Sequence, residues 1–232
     1  MWHKQRGYKR DTPEHLVRDY KLFAIACEGG KREPEYFGLF QSMSAKIKVD
    51  IIGDLVSEEV MTRKHETKSA PMWVLDRAIK YIEREGLSDE DQLWFVIDTD
   101  AWKEDQLREL YNHCREKPNW HIVLSNPCFE VWLYFHKKKD ISVSASNSCG
   151  DFKNEISGFE KGGYHPHKFI PHLHQAIAHA KDADSDKVHF LPKPKETKVY
   201  ELGAALIEVI GKSAFEDFID NKLPLLMKTK KP

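Results

Sequence analysis

Long apolar runs are missing from these 232 residues. None approaches the roughly 20 residues that a helix needs to cross a bilayer, so no membrane-spanning segment is expected. The opening MWHKQRGYKRDTPEH lacks the apolar stretch of a secretory signal, and the default expectation is a cytoplasmic protein. Cysteine is scarce. Cys27, Cys114, Cys128 and Cys149 are scattered and never spaced Cys-x-x-Cys, which argues against a zinc ribbon or a disulfide framework. Cys27 and Cys128 lie in or beside apolar segments, as buried free thiols do. Gly29-Gly30-Lys31 lacks the spacing of a P-loop, and no G-x-G-x-x-G dinucleotide fingerprint occurs. Net charge is also nearly absent, at −1, although basic clusters stand at Lys4–Arg10, His136–Lys139, Lys187–Lys198 and Lys228–Lys231. Such clusters are ordinary solvated surface as readily as polyanion footprints, and alone they decide nothing.

What is present is an ordinary globular composition, 41% hydrophobic and 31% charged, long enough to bury a core without staples. Residues 1–19 are polar and read as an N-terminal arm. Lys21–Cys27 is an apolar strand, followed by a helix over about 33–45 with Pro34 in its first turn. Ile47–Ile52 alternates as a half-buried strand, and residues 53–69 form a polar loop. Pro71 opens a helix to about Glu85, with Trp73, Val74, Ile79 and Ile82 facing inward and Gly86 ending it. Leu93–Ile97 carries no charged side chain, as expected of a strand covered on both faces. A helix over 103–115, a strand at His121–Leu124 and a helix from Pro127 to about Lys138 complete a β-α alternation. That order predicts an α/β fold: a parallel, Rossmann-like sheet flanked by helices. After Asp140 the chain passes a serine-rich stretch, Ile141–Gly150, read as a linker or excursion. Only helices are read beyond it, at about 151–159, 168–182, 197–211 and 214–221. The division expected is an arm at 1–19, a core at 20–140 and a mostly helical C-terminal region at 141–232, either separate or wrapped on the sheet.

Three apolar strands end on polar residues suited to catalysis. The first runs into Glu28-Gly29-Gly30, the third into Asp98-Thr99-Asp100, and the fourth into Ser125-Asn126-Pro127 with Glu130 beyond. Neighbouring parallel strands would bring these ends to one edge of the sheet, where open α/β folds place ligands. Carboxylates gathered there repel one another unless a cation neutralises them. Asp98 and Asp100, two apart in extended chain, point the same way and can share a hard cation. The competing reading makes Asp98 a turn residue and Asp100 a helix cap. The same spacing at Asp89/Asp91 and Asp182/Asp184/Asp186 falls in polar stretches and is read as turns or caps. Glycines after Glu28 permit a sharp turn and close approach of a phosphate. Lys31 and Arg32 are placed as phosphate contacts, although either would serve equally as surface. Glu130, near a helix start, could complete the acidic set. His136 is read as an ordinary surface histidine.

CEGGKREPEYF at 27–37, WFVIDTDAW at 94–102, SNPCFEVWLYFH at 125–136 and PKPKETKVYEL at 192–202 resemble, in order, the motifs of RloB-like proteins. That family is encoded in bacterial and archaeal defence islands near restriction-modification genes and is linked to abortive infection. It is similar in turn to the Toprim fold, whose glutamate after the first strand and Asp-x-Asp after the third correspond to Glu28, Asp98 and Asp100. The resemblance implies a Toprim-like core and Mg²⁺-dependent hydrolysis of nucleic acid, RNA or DNA, with Mn²⁺ as a substitute. Glu28, Asp98, Asp100 and Glu130 form the expected catalytic and metal-binding set, holding one ion or two about 4 Å apart. Glu28 serves there as a metal ligand or as a general acid/base. Lys31, Arg32, Trp102 and Asn126 are the expected substrate contacts. This chain has no ATPase motif, so control by an ATPase partner would act in trans; whether it forms a homodimer is left open.

Two rivals stand beside this reading. One is a non-catalytic interaction or sensor module whose acidic cluster docks a partner. The other is a transition-metal site among His165, His167, His172, His174 and His179. His172 and His179 are two turns apart where chelation favours i, i+4, so helical surface histidines are the simpler account. Trp94, Phe95 and Trp132 are read as core, not as base-stacking platforms.

Overall fold

A computed structural model describes residues 19–53 and 71–229. All of the arm at 1–19 except its last residue, with the basic cluster Lys4–Arg10, and nearly all of the polar loop at 53–69 lie outside the described residues. Four strands form one sheet: β1 (Lys21–Cys27), β2 (Ile47–Ile52), β3 (Gln92–Asp98) and β4 (Trp120–Ser125). Their order is β2-β1-β3-β4, and every pair is parallel. The fold is α/β and Rossmann-like.

Both faces of the sheet are covered, which explains why the central strands β1 and β3 are almost wholly apolar, whereas the edge strand β2 keeps Lys48 and Asp50. Phe23, Ile25, Cys27, Trp94, Val96 and Val123 turn to one side. Ala24, Ala26, Leu93, Phe95, Ile97 and Leu124 turn to the other. There α2 (Pro71–Glu85) and α3 (Glu104–Arg115) cover them through Val74, Leu75, Ala78, Tyr81, Leu107 and Leu110. The first face receives α1 (Arg32–Phe37) and α4 (Glu130–Phe135), and then the helices beyond Asp140. Those are α5 (Cys149–Gly158), α6 (Pro166–Phe169), α7 (Leu173–Ala183), α8 (Val199–Ile210), α9 (Lys212–Asp217) and α10 (Leu223–Thr229). Their Phe152, Phe169, Leu173, Leu206 and Phe218 share one buried cluster with β1, β3, α1 and α4. Among the described residues, no helix is long and apolar enough to cross a membrane.

The helix after β1 lies on one face and the helix after β3 on the other. Because β1 and β3 are neighbours, a crevice opens between their carboxyl ends, at the reversal point where such sheets take ligands.

Several elements differ from expectation. The helix expected over 33–45 ends at Phe37 and tightens into a 3₁₀ turn at Gly38–Ser42. Buried residues three apart, Tyr36 with Leu39 and Phe37 with Phe40, fit that tighter repeat. The inward stripe of α2 is Val74, Leu75, Ala78 and Tyr81, while Ile79 is 40% exposed. Pro171 divides the pattern at 168–182 into α6, a 3₁₀ turn and α7, since proline offers no N–H to continue a helix. A π-helical stretch at Phe218–Lys222 joins α9 to α10.

The serine-rich stretch is not a bare linker. Ser144 and Ser146 are buried, and both hydroxyls donate to Glu155 of α5. Asp184 is more than a turn residue: its carboxylate, buried, accepts from Lys198 at 2.7 Å and from the Tyr200 hydroxyl at 2.6 Å. Asp186 behaves as read, accepting the backbone N–H groups of Val188 and His189.

Candidate functional site: a carboxylate-lined crevice

Glu28 leaves β1 while still in the ladder, its N–H donating to the Val96 carbonyl at 3.0 Å. Its carboxylate accepts the Asp98 backbone N–H at 3.0 Å and the Trp102 indole N–H at 2.9 Å. Glu28 thereby ties the end of β1 to the turn that follows β3. From the other side, Arg77 on α2 donates to the Cys27 carbonyl at 2.6 Å. Burial pushes the Glu28 carboxyl up to about 7, and its two hydrogen bonds oppose that shift. The negative charges of Asp100 and Glu33 add to it.

Asp98 is the last residue of β3 and half-buried. Its carboxyl is held well above the usual carboxylate range by burial first, then by the charges of Glu33, Glu28, Glu130 and Cys149. Beyond Asp98 the chain turns. Thr99 donates to the Ser125 and Pro127 carbonyls at 3.0 Å, and Asp100 donates to Pro127 at 3.2 Å. The extended geometry that aligns residues i and i+2 therefore stops at Asp98, and Asp100 is exposed. Asp100 is not a helix cap, because α3 starts at Glu104 after Lys103.

The Pro127 carbonyl holds this turn, and that explains the late start of the next helix. Residues 126–129 brace the Asp98–Asp100 loop, so α4 begins at Glu130 and not at Pro127. The Asn126–Pro127 peptide is cis.

Glu33 is a site residue that sequence reasoning treated only as a helix start. It is 6% exposed and enters the fields of both Asp98 and Glu28. Burial raises its own carboxyl, with Glu130 adding to the effect. A Cβ at Gly29 would overlap both carboxylate oxygens of Glu33, so this glycine makes room for a folded-back acid. Gly29 was the one signal in the sequence for Glu33, and it was read as a turn and as room for a phosphate.

Glu130 is buried, paired with Arg32, and accepts the Cys149 thiol at 3.8 Å. The Arg32 guanidinium also lies over the Tyr164 ring, 5.5 Å from its centroid. The Cys128 and Cys149 sulfurs lie within 4.8 Å. Each thiol acts on the other, lowering Cys149 and raising Cys128, where burial acts in the same direction. One ligand atom each from Cys128, Glu130 and Cys149 lie mutually within 4.8 Å. Among the described residues this is the one His/Cys/Asp/Glu group of three or more that close; Glu28, Asp98 and Asp100 do not form such a set. No sequence signal pointed to Cys149, which stands at the end of the serine-rich stretch.

The expected substrate contacts divide. Lys31 is exposed at the start of α1. Arg32 engages Glu130, and Trp102 engages Glu28. The Asn126 amide donates to the Pro192 carbonyl at 3.0 Å. The Asn126 backbone bonds to Glu196 and Lys195, and Ser125 bridges Thr197, so the late motif lies against the end of β4.

His136 is not a surface residue: it is 1% exposed, and burial lowers it to about 3. Its Nδ1 faces the Trp132 carbonyl at 3.0 Å, which makes Nδ1 the protonated nitrogen and Nε2 the acceptor of the Tyr36 hydroxyl at 2.8 Å. The five later histidines form no group of three ligands among the described residues. Trp94, Phe95 and Trp132 are buried, as read.

Taken together, these features define an α/β protein with a crevice of crowded carboxylates at the reversal point of a parallel sheet. The RloB-like protein family model matches residues 23–206, and the chain belongs to that family. No curated protein and no solved structure matches it.

Proposed function

We propose that the protein is a Mg²⁺-dependent, Toprim-type phosphodiesterase that hydrolyses nucleic acid in prokaryotic antiviral defence, under the control of a partner protein. One observation carries the reading. Glu28, Glu33 and Asp98 meet Glu130 in one crevice, from three separate connections, and burial followed by the neighbouring acids raises the first three. A hard divalent cation with oxygen ligands relieves that repulsion, and the donor set is the right one for magnesium. Asp98 and Asp100, with Glu33 and Glu130 beside them, would hold it. Bound there, the ion supplies Lewis-acid polarisation of the scissile phosphate.

The rest falls to the chain. Glu28, with its carboxyl near 7, exchanges a proton at neutral pH, as a general acid/base must. Trp102 and the Asp98 N–H fix the orientation of that carboxylate. Arg32 restrains Glu130, and exposed Lys31 offers a charge to the polyanion, whose binding should weaken steeply with salt. Purified protein should cleave RNA, single-stranded DNA or duplex DNA when magnesium is added. Asp98→Ala and Glu28→Ala should each remove that cleavage with the fold intact by circular dichroism. Cleavage unchanged in Asp98→Ala would defeat the assignment. No cleavage of any of the three substrates by the wild type, with or without its partner, would favour an interaction module.

A further inference from the structure

Beside the carboxylates, Cys128, Glu130 and Cys149 form a cluster of different chemistry. Two thiol sulfurs and a carboxylate oxygen lie mutually within 4.8 Å. Around a tetrahedral zinc ion, with sulfur at about 2.3 Å and oxygen at about 2.0–2.2 Å, such ligands stand roughly 3.5–4 Å apart. Small side-chain adjustments close that difference. The positions are well supported. Cys128 and Glu130 are buried in the β4–α4 connection, whose backbone also carries the Asp98–Asp100 turn. Cys149 opens α5, and that helix start is fixed by reciprocal bonds between Ser148 and Asp151.

Charge and access agree with an ion. Two thiolates and a carboxylate sum to −3, so a divalent cation leaves a single negative charge. Arg32, paired with Glu130, and Lys153, in electrostatic contact with all three ligands, stand beside it. Cys149 is half-exposed and leaves a way in from solvent. Thiolates select borderline-soft metals, whereas magnesium takes oxygen. We propose that Cys128, Glu130 and Cys149 bind one Zn²⁺, with a fourth position open, at a thiolate site that adjoins the carboxylate crevice and shares Glu130 with it.

The test uses the full chain, purified under reducing conditions without a metal-affinity column. It is incubated with Zn²⁺, desalted and measured for bound metal, and in parallel titrated with Co²⁺ and read by absorption. One zinc per chain and a near-ultraviolet thiolate-to-cobalt charge-transfer band are expected. Cys149→Ser and Cys128→Ala should each weaken zinc binding at least about tenfold and remove most of that band. Asp98→Asn should retain the zinc, which keeps this site distinct from the magnesium reading. A wild-type cobalt spectrum without thiolate charge transfer, which needs no variant to fold, would overturn the proposal. So would zinc retained equally by both cysteine variants, or lost with Asp98→Asn.

Discussion

Asp98 carries the sharpest consequence of crowding. Its carboxyl is raised by burial and by neighbouring acids, so the folded protein binds more protons than the unfolded chain above the ordinary carboxylate range. Stability attributable to this group is therefore lost as pH rises, since the slope follows protons bound unfolded minus protons bound folded. Asp98→Asn should melt higher than wild type without metal, with the gap widening as pH rises above the ordinary carboxylate range. Added Mg²⁺ should raise the wild-type melting temperature and leave the variant unmoved, measurable by scanning calorimetry. Comparing two proteins at each pH matters, because buried His136, lowered to about 3, costs stability in the opposite direction as pH falls below its ordinary value. Trp102→Phe keeps a ring but removes the indole N–H that holds Glu28 charged. The Glu28 limb of the pH–rate profile should move up by about one unit. Glu28 and Asp98 were legible because each follows an unbroken apolar strand. Glu33 was not, since nothing local says that a helix-start glutamate folds back over Gly29.

At the level of elements, the strands and the α/β alternation could be read from apolar runs and glycine or proline punctuation. Some readings failed for local reasons, as at Pro171, and others for tertiary ones. The start of α4 is displaced because the Pro127 carbonyl serves two amides of another loop. His136 was misread because its burial depends on Tyr36, a hundred residues away in sequence. The late motif at 192–202 reads as polar loop and helix, yet it places Lys198, 3% exposed, against Asp184 and the Asp186 carbonyl. Removing one partner of a buried pair strands the other charge, at a cost of about 3–5 kcal/mol. Lys198→Met should therefore lower unfolding stability by that amount in urea titration. Because this segment also bridges Asn126, cleavage should fall with it.

Over the whole molecule, four motifs spread from residue 27 to residue 202 meet at one corner. Three supply the acids, and the fourth braces the end of β4 beside them. The helices after Asp140 share the core of the sheet face that lies under that corner, so they help to hold the acids in place. That convergence is invisible to any local pattern. Only the parallel order of the strands brings Glu28 beside Asp98. The most direct test is a crystal soaked in Mn²⁺ and measured at a wavelength where manganese scatters anomalously. The account predicts an anomalous peak in the crevice between the β1 and β3 ends, coordinated by Asp98 and Asp100 within 3 Å of carboxylate oxygen, a distance about that of hard-cation ligation. A fully occupied lattice with no peak there, or manganese bound elsewhere while Asp98 stays unliganded, would contradict it.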